Sequence, residues 1–363
     1  MCSLALIGFV GTSAAASAVN PFPIDRLVGE EASLHRLVET PVDCPAAPEP
    51  VVSLATESRY DPSDKRAIEI KEVRSEAYRR AIKPVRSFIK SVVSSANRSV
   101  EKPIARQVWA ECALSLLSTW ATAGALTDLQ TNTARLHRGA QVAALSLATL
   151  QIRDAVAKDP RLPEVIVWLK GLADASRAYA DSRPKATSSN ANHRYWTGLG
   201  AAAAGVVARD ESLVLWGIES ARIGLRQVTD DGFLPLELAR ERRARDYHLY
   251  AVAPLILIAE IAALRGTDLY TEHDGALLRL AHAVILALHD PSDMSAAAGD
   301  TQLPFPSEAD LPPKNRLAWL EPYAARTGDP DAMALLEELR PLSFTALGGN
   351  VTMLFSRGLA DAP

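Results

Sequence analysis

Apolar residues recur at three- and four-residue steps through most of this 363-residue chain, and this helical period limits the possible folds more than any other feature. Trp109, Cys112, Leu116 and Trp120 show the spacing within one segment. No segment has the convincing alternation of a strand. We therefore predict about ten helices, at 66–93, 102–124, 134–156, 163–181, 194–207, 211–229, 239–264, 274–289, 316–326 and 332–339.

The connections between these segments are mostly short and carry Gly, Pro or Asp, as at 229–235 and 289–293. Short connections join antiparallel neighbours. No internal repeat period is visible, which disfavours a solenoid built from consensus repeats. The sequence therefore predicts an all-α fold, an incomplete α/α toroid of antiparallel helical hairpins. Such a fold has a groove or tunnel at one end that suits a linear polymer.

The first residues have the pattern of a secretory signal peptide. An apolar run at 4–10, too short to span a bilayer, is followed by small residues ending in Ala18, although no Lys or Arg precedes the run. We expect cleavage after Ala18, export to the periplasm and no membrane segment in the mature chain. The predicted organisation is a signal peptide at 1–18, a Pro-rich leader at 19–55, a toroidal domain at 56–345 and a C-terminal tail at 346–363.

The net charge of −4 argues against a protein that binds nucleic acid through overall basicity. An anionic ligand must then be held by a local basic cluster. Removal of the signal peptide leaves Cys44 and Cys112, which an oxidising compartment would join into a disulfide, with two free thiols as the alternative. Two cysteines and seven histidines without ligand spacing predict no zinc site, and we expect no metal or other cofactor.

Two stretches concentrate polar and aromatic side chains. The first is "NANHRYW" at 190–196, at the start of a predicted helix. The second, 228–255, has four arginines within six positions and places Arg240 and Tyr247 seven residues apart, on one face of a helix. Each stretch alone is compatible with a solvated charged face or with aromatic residues of the core. Together they indicate a site built from two helices.

These stretches resemble alginate lyases of the AlgL type, polysaccharide lyase family 5. The resemblance rests on "NANHRYW" and on "GFLPLELARERRARDYHLYA" at 232–251, with further similar segments at 58–67, 317–323 and 347–350. It extends over roughly 40–355. It implies an α/α toroid, a family disulfide between Cys44 and Cys112, and catalytic roles for Asn192, His193, Arg240 and Tyr247.

The resemblance also implies a reaction, the cleavage of a polyuronate by β-elimination. Asn192 and Arg240 would neutralise the substrate carboxylate, Asn192 by donating from its amide and Arg240 by its charge. Tyr247 would take the C5 proton and return it to the leaving oxygen, and the positive charges of Arg240 and Arg243 should lower its pKa. His193 would stabilise the carboxylate, orient the tyrosine, or act as base for a sugar of opposite C5 configuration.

Further residues are expected to bind neighbouring sugars through charge or through aromatic rings, although packing in the core is the alternative for each aromatic residue. They are Tyr60, Lys65, Arg66, Trp120, Arg194, Trp196, Arg243 and Tyr250. Four positions depart from the family pattern, and these departures bear on which polymer is preferred. They are Ala140, Ala191, Ala346 and Asn350.

The predicted function is therefore a periplasmic, monomeric lyase that acts on an anionic polysaccharide, most simply mannuronate-rich alginate. One alternative is a lyase for another polyuronate, such as polyglucuronate. A second is a toroidal glycoside hydrolase with Asp231 and either Glu237 or Glu241 as its acids. A third is a protein that binds polyuronate without cleaving it.

Overall fold

A computed structural model describes residues 20–24, 42–64, 66–305 and 312–355. The predicted signal peptide at 1–18, the substrate-binding candidate Lys65 and the last residues of the predicted tail lie outside these ranges.

The described residues form thirteen α-helices with very little strand, so the predicted all-α class is confirmed. Two pairs of two-residue strands accompany them: β1 (Ser53–Leu54) with β2 (Asp128–Leu129), parallel, and β3 (Ser343–Phe344) with β4 (Gly349–Asn350), antiparallel. The helices are α1 (Glu72–Glu101), α2 (Arg106–Thr122), α3 (Asn132–Ile152), α4 (Leu162–Asp181), α5 (Asn192–Ala208), α6 (Glu211–Leu225), α7 (Pro235–Leu238), α8 (Ala244–Ala263), α9 (Glu272–His289), α10 (Ser292–Ala298), α11 (Leu320–Thr327), α12 (Pro330–Leu339) and α13 (Val351–Phe355).

Helices α1, α3 and α5 run parallel and form an inner layer. Near their starts, Tyr78 of α1 meets His137 of α3, and near their ends Asn97 meets Gln151. Helices α2, α4 and α6 return on the outside, so each inner helix is followed by an antiparallel partner. The amino-terminal ends of the inner helices therefore lie on one side of the molecule, as in the predicted toroid.

Helix α5 packs against α3 at a distance that only glycine permits. A Cβ atom on Gly139 would lie 2.6 Å from Thr197 Cα, and one on Gly200 would lie 2.5 Å from the carbonyl oxygen of Gly139. Helix α5 is otherwise rich in alanine, and almost all of its residues are buried. Its small side chains let neighbouring helices approach its backbone closely. This contact sets the position of the first residues of α5 relative to α3.

The leader is attached to the core at two places. A disulfide joins Cys44 to Cys112 of α2, as predicted. Strand β1 then pairs with β2, which directly precedes α3. These links hold the segment from Cys44 to Tyr60 against the helices, and Tyr60 itself reaches the cavity described below.

The predicted helix at 239–264 is shorter than expected. Glu241 has a φ of 51°, a left-handed conformation, and α8 begins only at Ala244. Arg240 therefore lies in a turn rather than on the helix that carries Tyr247.

The segment Glu241–Ala263 is long and apolar enough to cross a membrane, against our expectation for the mature chain, but 78% of its apolar window is buried inside the fold. Burial identifies it as a core helix.

Candidate active site

A cavity of about 1130 Å³ opens where the inner helices begin. Its walls come from the segment around Tyr60, one face of α1, the first turns of α3 and α5, the start of α8 and the strand β3. The four residues implied as catalytic all line this cavity: Asn192, His193, Arg240 and Tyr247.

The cavity is strongly basic although the chain as a whole is acidic. Among its described lining residues are eight arginines and lysines and one acid. The acid, Asp246, accepts a hydrogen bond from Arg243 at 3.0 Å. The cations are Arg59, Arg79, Lys83, Arg86, Lys90, Arg240, Arg243 and Arg316. A concentration of one sign of charge in a concave site attracts anions.

Asn192 is held by a buried carboxylate. Its backbone N–H and its side-chain Nδ2 both donate to Glu237, at 2.8 and 3.0 Å, while Asn192 Oδ1 is buried without a partner among the described residues. Burial raises the pKa of Glu237, against the opposing effect of the Asn192 hydrogen bonds and the charge of Arg240. The expected donation from Asn192 to substrate thus differs from what is seen, because the amide nitrogen is engaged by Glu237.

His193 is neutral in this environment. Burial, followed by the nearby His137 and the charge of Arg240, lowers its pKa to about 3. The ring centroids of His137 and His193 are 5.7 Å apart, and Tyr78 Oη lies 2.9 Å from His137 Nδ1. Burial also lowers the pKa of His137 to about 4. The imidazole of His193 is therefore uncharged at neutral pH, and its unprotonated nitrogen can accept a hydrogen bond.

Tyr247 and Tyr60 share a hydrogen bond. The hydroxyl of Tyr247 donates to that of Tyr60 at 2.9 Å, and the guanidinium of Arg240 lies 4.7 Å from the Tyr247 ring centroid. Burial and the neighbouring Tyr60 raise the pKa of Tyr247 more than Arg240 and Arg243 lower it. The expected lowering of the Tyr247 pKa is therefore wrong for this structure.

The negative charge of the tyrosine pair is favoured on Tyr60 instead. Burial would raise the pKa of Tyr60, but the charge of Arg59, the hydrogen bond from Tyr247 and the charge of Arg243 together lower it. Arg59 NH2 also donates to Tyr60 Oη at 3.2 Å. The basic environment that was expected to act on Tyr247 thus acts mainly on its hydrogen-bond partner.

Arg240 and Arg243 approach the tyrosine pair with unused donors. Arg240 NH1 donates to the Arg66 carbonyl at 2.6 Å, and its Nε lies 3.9 Å from Glu237. The Nε atoms of both Arg240 and Arg243 are buried and have no hydrogen-bond partner among the described residues. Two guanidinium groups that line the cavity beside the tyrosine pair are suited to a carboxylate ligand.

Three of the predicted substrate-binding residues, Tyr60, Arg243 and Tyr250, line the cavity. Burial raises the pKa of Tyr250 to about 12. The guanidinium of Arg316, which no local pattern singled out, lies 5.4 Å from the Tyr250 ring centroid.

Three other predicted contacts are wrong because the side chains are buried between helices. Trp120 stacks on Phe88 with 3.8 Å between ring centroids. Trp196 donates its indole N–H to the Tyr250 carbonyl at 3.0 Å. Arg194 lies 3.9 Å above the ring of Trp216. These three side chains lie on helix faces that pack against neighbouring parts of the fold, and not on faces that line the cavity.

Arg66 lies at the edge of the site, where its exposed side chain forms an ion pair with Glu241 and only its backbone carbonyl reaches Arg240. Of the positions that depart from the family pattern, Ala140 and Ala346 line the cavity. Ala191 is buried just before α5, and Asn350 donates to Glu101 at 2.8 Å. The departures that face substrate are therefore two small apolar residues.

The acids that a glycoside hydrolase would need do not share the cavity. Asp231 borders a separate cavity of about 150 Å³. Glu237 is fully buried against Asn192, and Glu241 is paired with Arg66. In the part of the chain that the structure describes, no group of three or more His, Cys, Asp or Glu side chains is placed to hold a metal ion.

Several residues at the site carried no recognisable local signal. Glu237 stood out in the sequence only as a candidate acid, and Tyr78 and His137 have the spacing of ordinary helix residues. Arg59 lies within the similar segment at 58–67, but no role was assigned to it there. Tyr78 and His137 meet at the site although 59 positions separate them in the chain.

Comparisons with known proteins agree with this geometry. Residues 86–294 match the sequence profile of a family described as alginate lyase. An alginate lyase of Pseudomonas syringae pv. syringae is 31% identical over 322 residues, which cover 86% of this chain and 82% of that protein. A polysaccharide lyase of Stenotrophomonas maltophilia is 34% identical over 258 residues, covering 70% of this chain and 74% of that protein.

Solved structures show the same fold. The crystal structure of alginate lyase A1-III from Sphingomonas species A1 superposes with a TM-score of 0.75 and 23% identity, covering 93% of this chain and 95% of that one. A tyrosine-to-phenylalanine variant of alginate lyase A1-III, complexed with a tetrasaccharide, superposes with a TM-score of 0.77 and 22% identity over the same shares. The predicted α/α toroid is confirmed by this similarity.

Proposed function

The chain belongs to the alginate lyase family, and from this premise we propose that it cleaves alginate, preferably in mannuronate-rich regions, by β-elimination. One observation carries the proposal: the four side chains implied as catalytic converge in a cavity whose charged lining is eight cations to one acid. A polyuronate carries a carboxylate on each sugar, so such a cavity attracts it along its whole length.

Charge neutralisation is the first requirement of the reaction. The C5 proton becomes acidic enough only if the adjacent carboxylate is held by positive or donating groups. Arg240 and Arg243 both line the cavity with their positive charges, which suits that role. Asn192 contributes if its amide turns its nitrogen towards the substrate. Protonation of Glu237, favoured by burial, would permit this turn because the acid could then donate to Asn192 Oδ1.

Proton transfer follows. The base removes the C5 proton, the electron pair forms the C4–C5 double bond, and the glycosidic oxygen leaves from C4 and takes a proton. In mannuronate both groups lie on one face, so Tyr247 can serve both steps. Tyr60 loses its proton to solvent first, because its pKa is lowered, and its phenolate then accepts the Tyr247 proton across the 2.9 Å hydrogen bond, which leaves Tyr247 as the base. Neutral His193 is the candidate base for a sugar of opposite C5 configuration.

A spectroscopic assay tests this function. Purified mature protein is mixed with polymannuronate, and the 4,5-unsaturated product is followed by its near-ultraviolet absorbance. Reducing ends that form without this absorbance would mean hydrolysis, and binding without either signal would mean a non-catalytic protein. We expect Tyr247→Phe to abolish turnover and to leave polymer binding largely intact.

The preferred polymer is decided by a panel of substrates. Ala140 and Ala346 leave one wall of the cavity small and apolar, which favours tolerance of sugars other than mannuronate. Initial rates on polymannuronate, polyguluronate and polyglucuronate rank the candidates. A higher kcat/KM on polyglucuronate would replace mannuronate as the proposed substrate without changing the reaction type.

We also propose that the protein works in the periplasm. The support is the signal-like pattern at 1–18 and the disulfide between Cys44 and Cys112, which forms in oxidising compartments. Fractionation of the native host, with amino-terminal sequencing of the product, tests this location. A mature chain that begins at Val19 is expected, and a cytoplasmic protein that retains Met1 would contradict it.

A further inference from the structure

Arg135 and Arg183 flank Tyr179 next to Asn132, a residue that lines the cavity, and Arg138 lies close enough to Arg135 to be repelled by it. We name these three arginines the distal arginine cluster. The guanidinium groups of Arg135 and Arg183 lie 5.5 and 5.2 Å from the Tyr179 ring centroid. Arg183 NH1 also donates to Tyr179 Oη and to Asn132 Oδ1, each at 2.6 Å. Helix α3 and the end of α4 thus hold two cations against one aromatic ring, with a third nearby.

The cluster is not neutralised by acids. Among the described residues no ion pair joins any of its three arginines to a carboxylate, whereas many surface arginines of this chain have one, as Arg222 has with Glu272. Arg138 is only 5% exposed, and its Nε donates to the hydroxyl of Ser176 at 2.8 Å. Burial, and then repulsion from Arg135, lowers its pKa to about 10. Cations held together without an anion are stabilised by any carboxylate that enters.

A polar path connects the cluster with the catalytic centre. The cavity lining that includes His193 also includes Thr187, Ser188, Thr133 and Asn132, and the amide oxygen of Asn132 accepts a hydrogen bond from Arg183. Asn132 precedes His137 by five residues, which is about 7.5 Å along a helix. Hydroxyl and amide groups of this kind suit the hydroxyl groups of a sugar.

We propose that the distal arginine cluster is a further binding site for a carboxylate of the polysaccharide, occupied only by chains long enough to pass beyond the catalytic centre. Arg135 is exposed and Arg183 half-buried, so both guanidinium groups can be reached. A planar guanidinium matches a carboxylate through paired hydrogen bonds. The inference rests on the proposed function, because it takes the anionic ligand to be a polyuronate.

Kinetics on oligomers of defined length test the cluster. We compare wild type with the double variant Arg135→Gln, Arg183→Gln on mannuronate trimers and octamers. We expect KM for octamers to rise about fivefold, the size of one or two exposed ion pairs. Neither kcat nor the KM for trimers should change. The double variant Arg135→Lys, Arg183→Lys should keep most of the octamer affinity.

A matched control removes two other exposed cations. Lys102 and Lys158 lie at the opposite end of the inner helices, and Lys102→Gln with Lys158→Gln lowers the net charge by the same amount. This control should bind octamers as wild type does. An equal rise in KM for trimers and octamers, or no rise for either, would overturn the proposal.

Binding measurements distinguish a failure of this proposal from a failure of the proposed function. The affinity of intact polymannuronate is titrated for wild type, for the Arg135→Gln, Arg183→Gln variant and for the Lys102→Gln, Lys158→Gln control, independently of cleavage. If wild type fails to cleave, the proposed function fails. Equal affinity of wild type and the Arg135→Gln, Arg183→Gln variant for the polymer would overturn the proposed role of the cluster, whether or not wild type cleaves the polymer.

Discussion

The hydroxyl groups of Tyr60 and Tyr247 lie 2.9 Å apart although 187 positions separate them in the chain. Two phenols this close, both largely buried, cannot both ionise easily, so they release one proton as a pair. The charge of Arg59 assigns the resulting negative charge to Tyr60. Tyr247 then keeps its proton until a transfer across the pair makes it a base.

Tyr60→Phe tests this coupling. The variant removes the hydroxyl that accepts the Tyr247 proton, while burial still raises the Tyr247 pKa. We expect kcat to fall by about 100-fold, the lower end of the contribution of acid–base catalysis. KM should change little because Arg240 and Arg243 remain. Stopped-flow or steady-state rates across pH 6 to 10 measure the effect, and a variant with wild-type kcat would exclude Tyr60 from the proton path.

Glu237 is expected to act by positioning Asn192. Glu237→Leu removes the carboxylate that holds both the backbone and the side chain of Asn192. Misplacement of a catalytic group by about 1 Å costs about 100-fold in rate. We therefore expect kcat on polymannuronate to fall by that factor, with a small change in KM.

The conservative variant Glu237→Gln provides the control. Its amide can still bond to Asn192, so it should recover most of the lost kcat. Equal losses in Glu237→Leu and Glu237→Gln would show instead that the carboxylate charge itself is needed. Thermal unfolding of both variants separates a loss of positioning from a loss of folding.

At the scale of elements, the geometry of the proposed catalytic centre depends on how α3 and α5 pack. Asn192 and His193 begin α5, and His137 lies on α3, so the spacing of the two helices sets the distances among these side chains. The glycines at the contact permit that spacing. We therefore expect these glycines to affect catalysis indirectly, because they set the position of the first residues of α5.

Gly200→Ala is expected to push the two helices apart. Its Cβ would lie 2.5 Å from a backbone oxygen of α3, which cannot move independently. Overpacking of this kind costs about 1–3 kcal/mol of unfolding free energy. We expect a lower Tm together with a reduced kcat. Chemical denaturation and steady-state kinetics measure the two effects.

Gly171→Ala is the matched control for this variant. Gly171 lies within α4, and a Cβ there meets nothing within 4 Å. Alanine in an exposed helical position stabilises by about 0.5–1 kcal/mol relative to glycine. An unchanged Tm in Gly200→Ala would contradict the proposed role of the close contact.

The period of three and four residues predicts most of the helices, and the deviations have local causes. Helix α1 begins at Glu72 rather than at 66, because Ala67 has a left-handed φ of 56° and Ile70 forms an antiparallel bridge with Tyr60. Helix α8 begins at Ala244 because Glu241 is left-handed. No apolar pattern indicates such conformations, since polar residues occur in turns and on helix surfaces alike.

At the scale of the whole molecule, buried histidines link folding to pH. His248 is fully buried, accepts a hydrogen bond from the backbone N–H of Leu234 at its Nε2 (2.9 Å), and lies 2.8 Å from the Ala244 carbonyl through its Nδ1. This pair of contacts requires the neutral ring. Burial lowers the His248 pKa from 6.5 to about 4.

Stability should therefore fall as the pH falls from 6.5 towards 4, because in this range the unfolded histidine binds a proton and the folded one does not. His248 is expected to contribute about 3 kcal/mol in total, all of it present above pH 6.5. Unfolding free energies of wild type and His248→Gln between pH 4 and 7 measure the contribution. The variant should have a smaller slope against pH.

His289 provides the control at this scale. It is exposed at the end of α9, and His289→Gln should leave the slope as it is in wild type. If His248→Gln also retained the wild-type slope, the neutral ring would not be the source of the pH dependence.

The helical period of the sequence was enough to predict the helical fold. The resemblance of its motifs to the alginate lyase family implied the pairing of Cys44 with Cys112 and the four residues that meet in the cavity. Periodicity identifies an apolar face of a helix but does not say whether another helix or a cavity covers it.

Only the tertiary structure decided which side chains face the substrate and which of them carry charge. Trp120 and Trp196 became core residues because neighbouring helices cover them. Tyr60 rather than Tyr247 is favoured as the phenolate because burial and the position of Arg59 determine the pKa of each ring. Both depend on distances between residues far apart in the chain, and such distances exist only after the helices have packed.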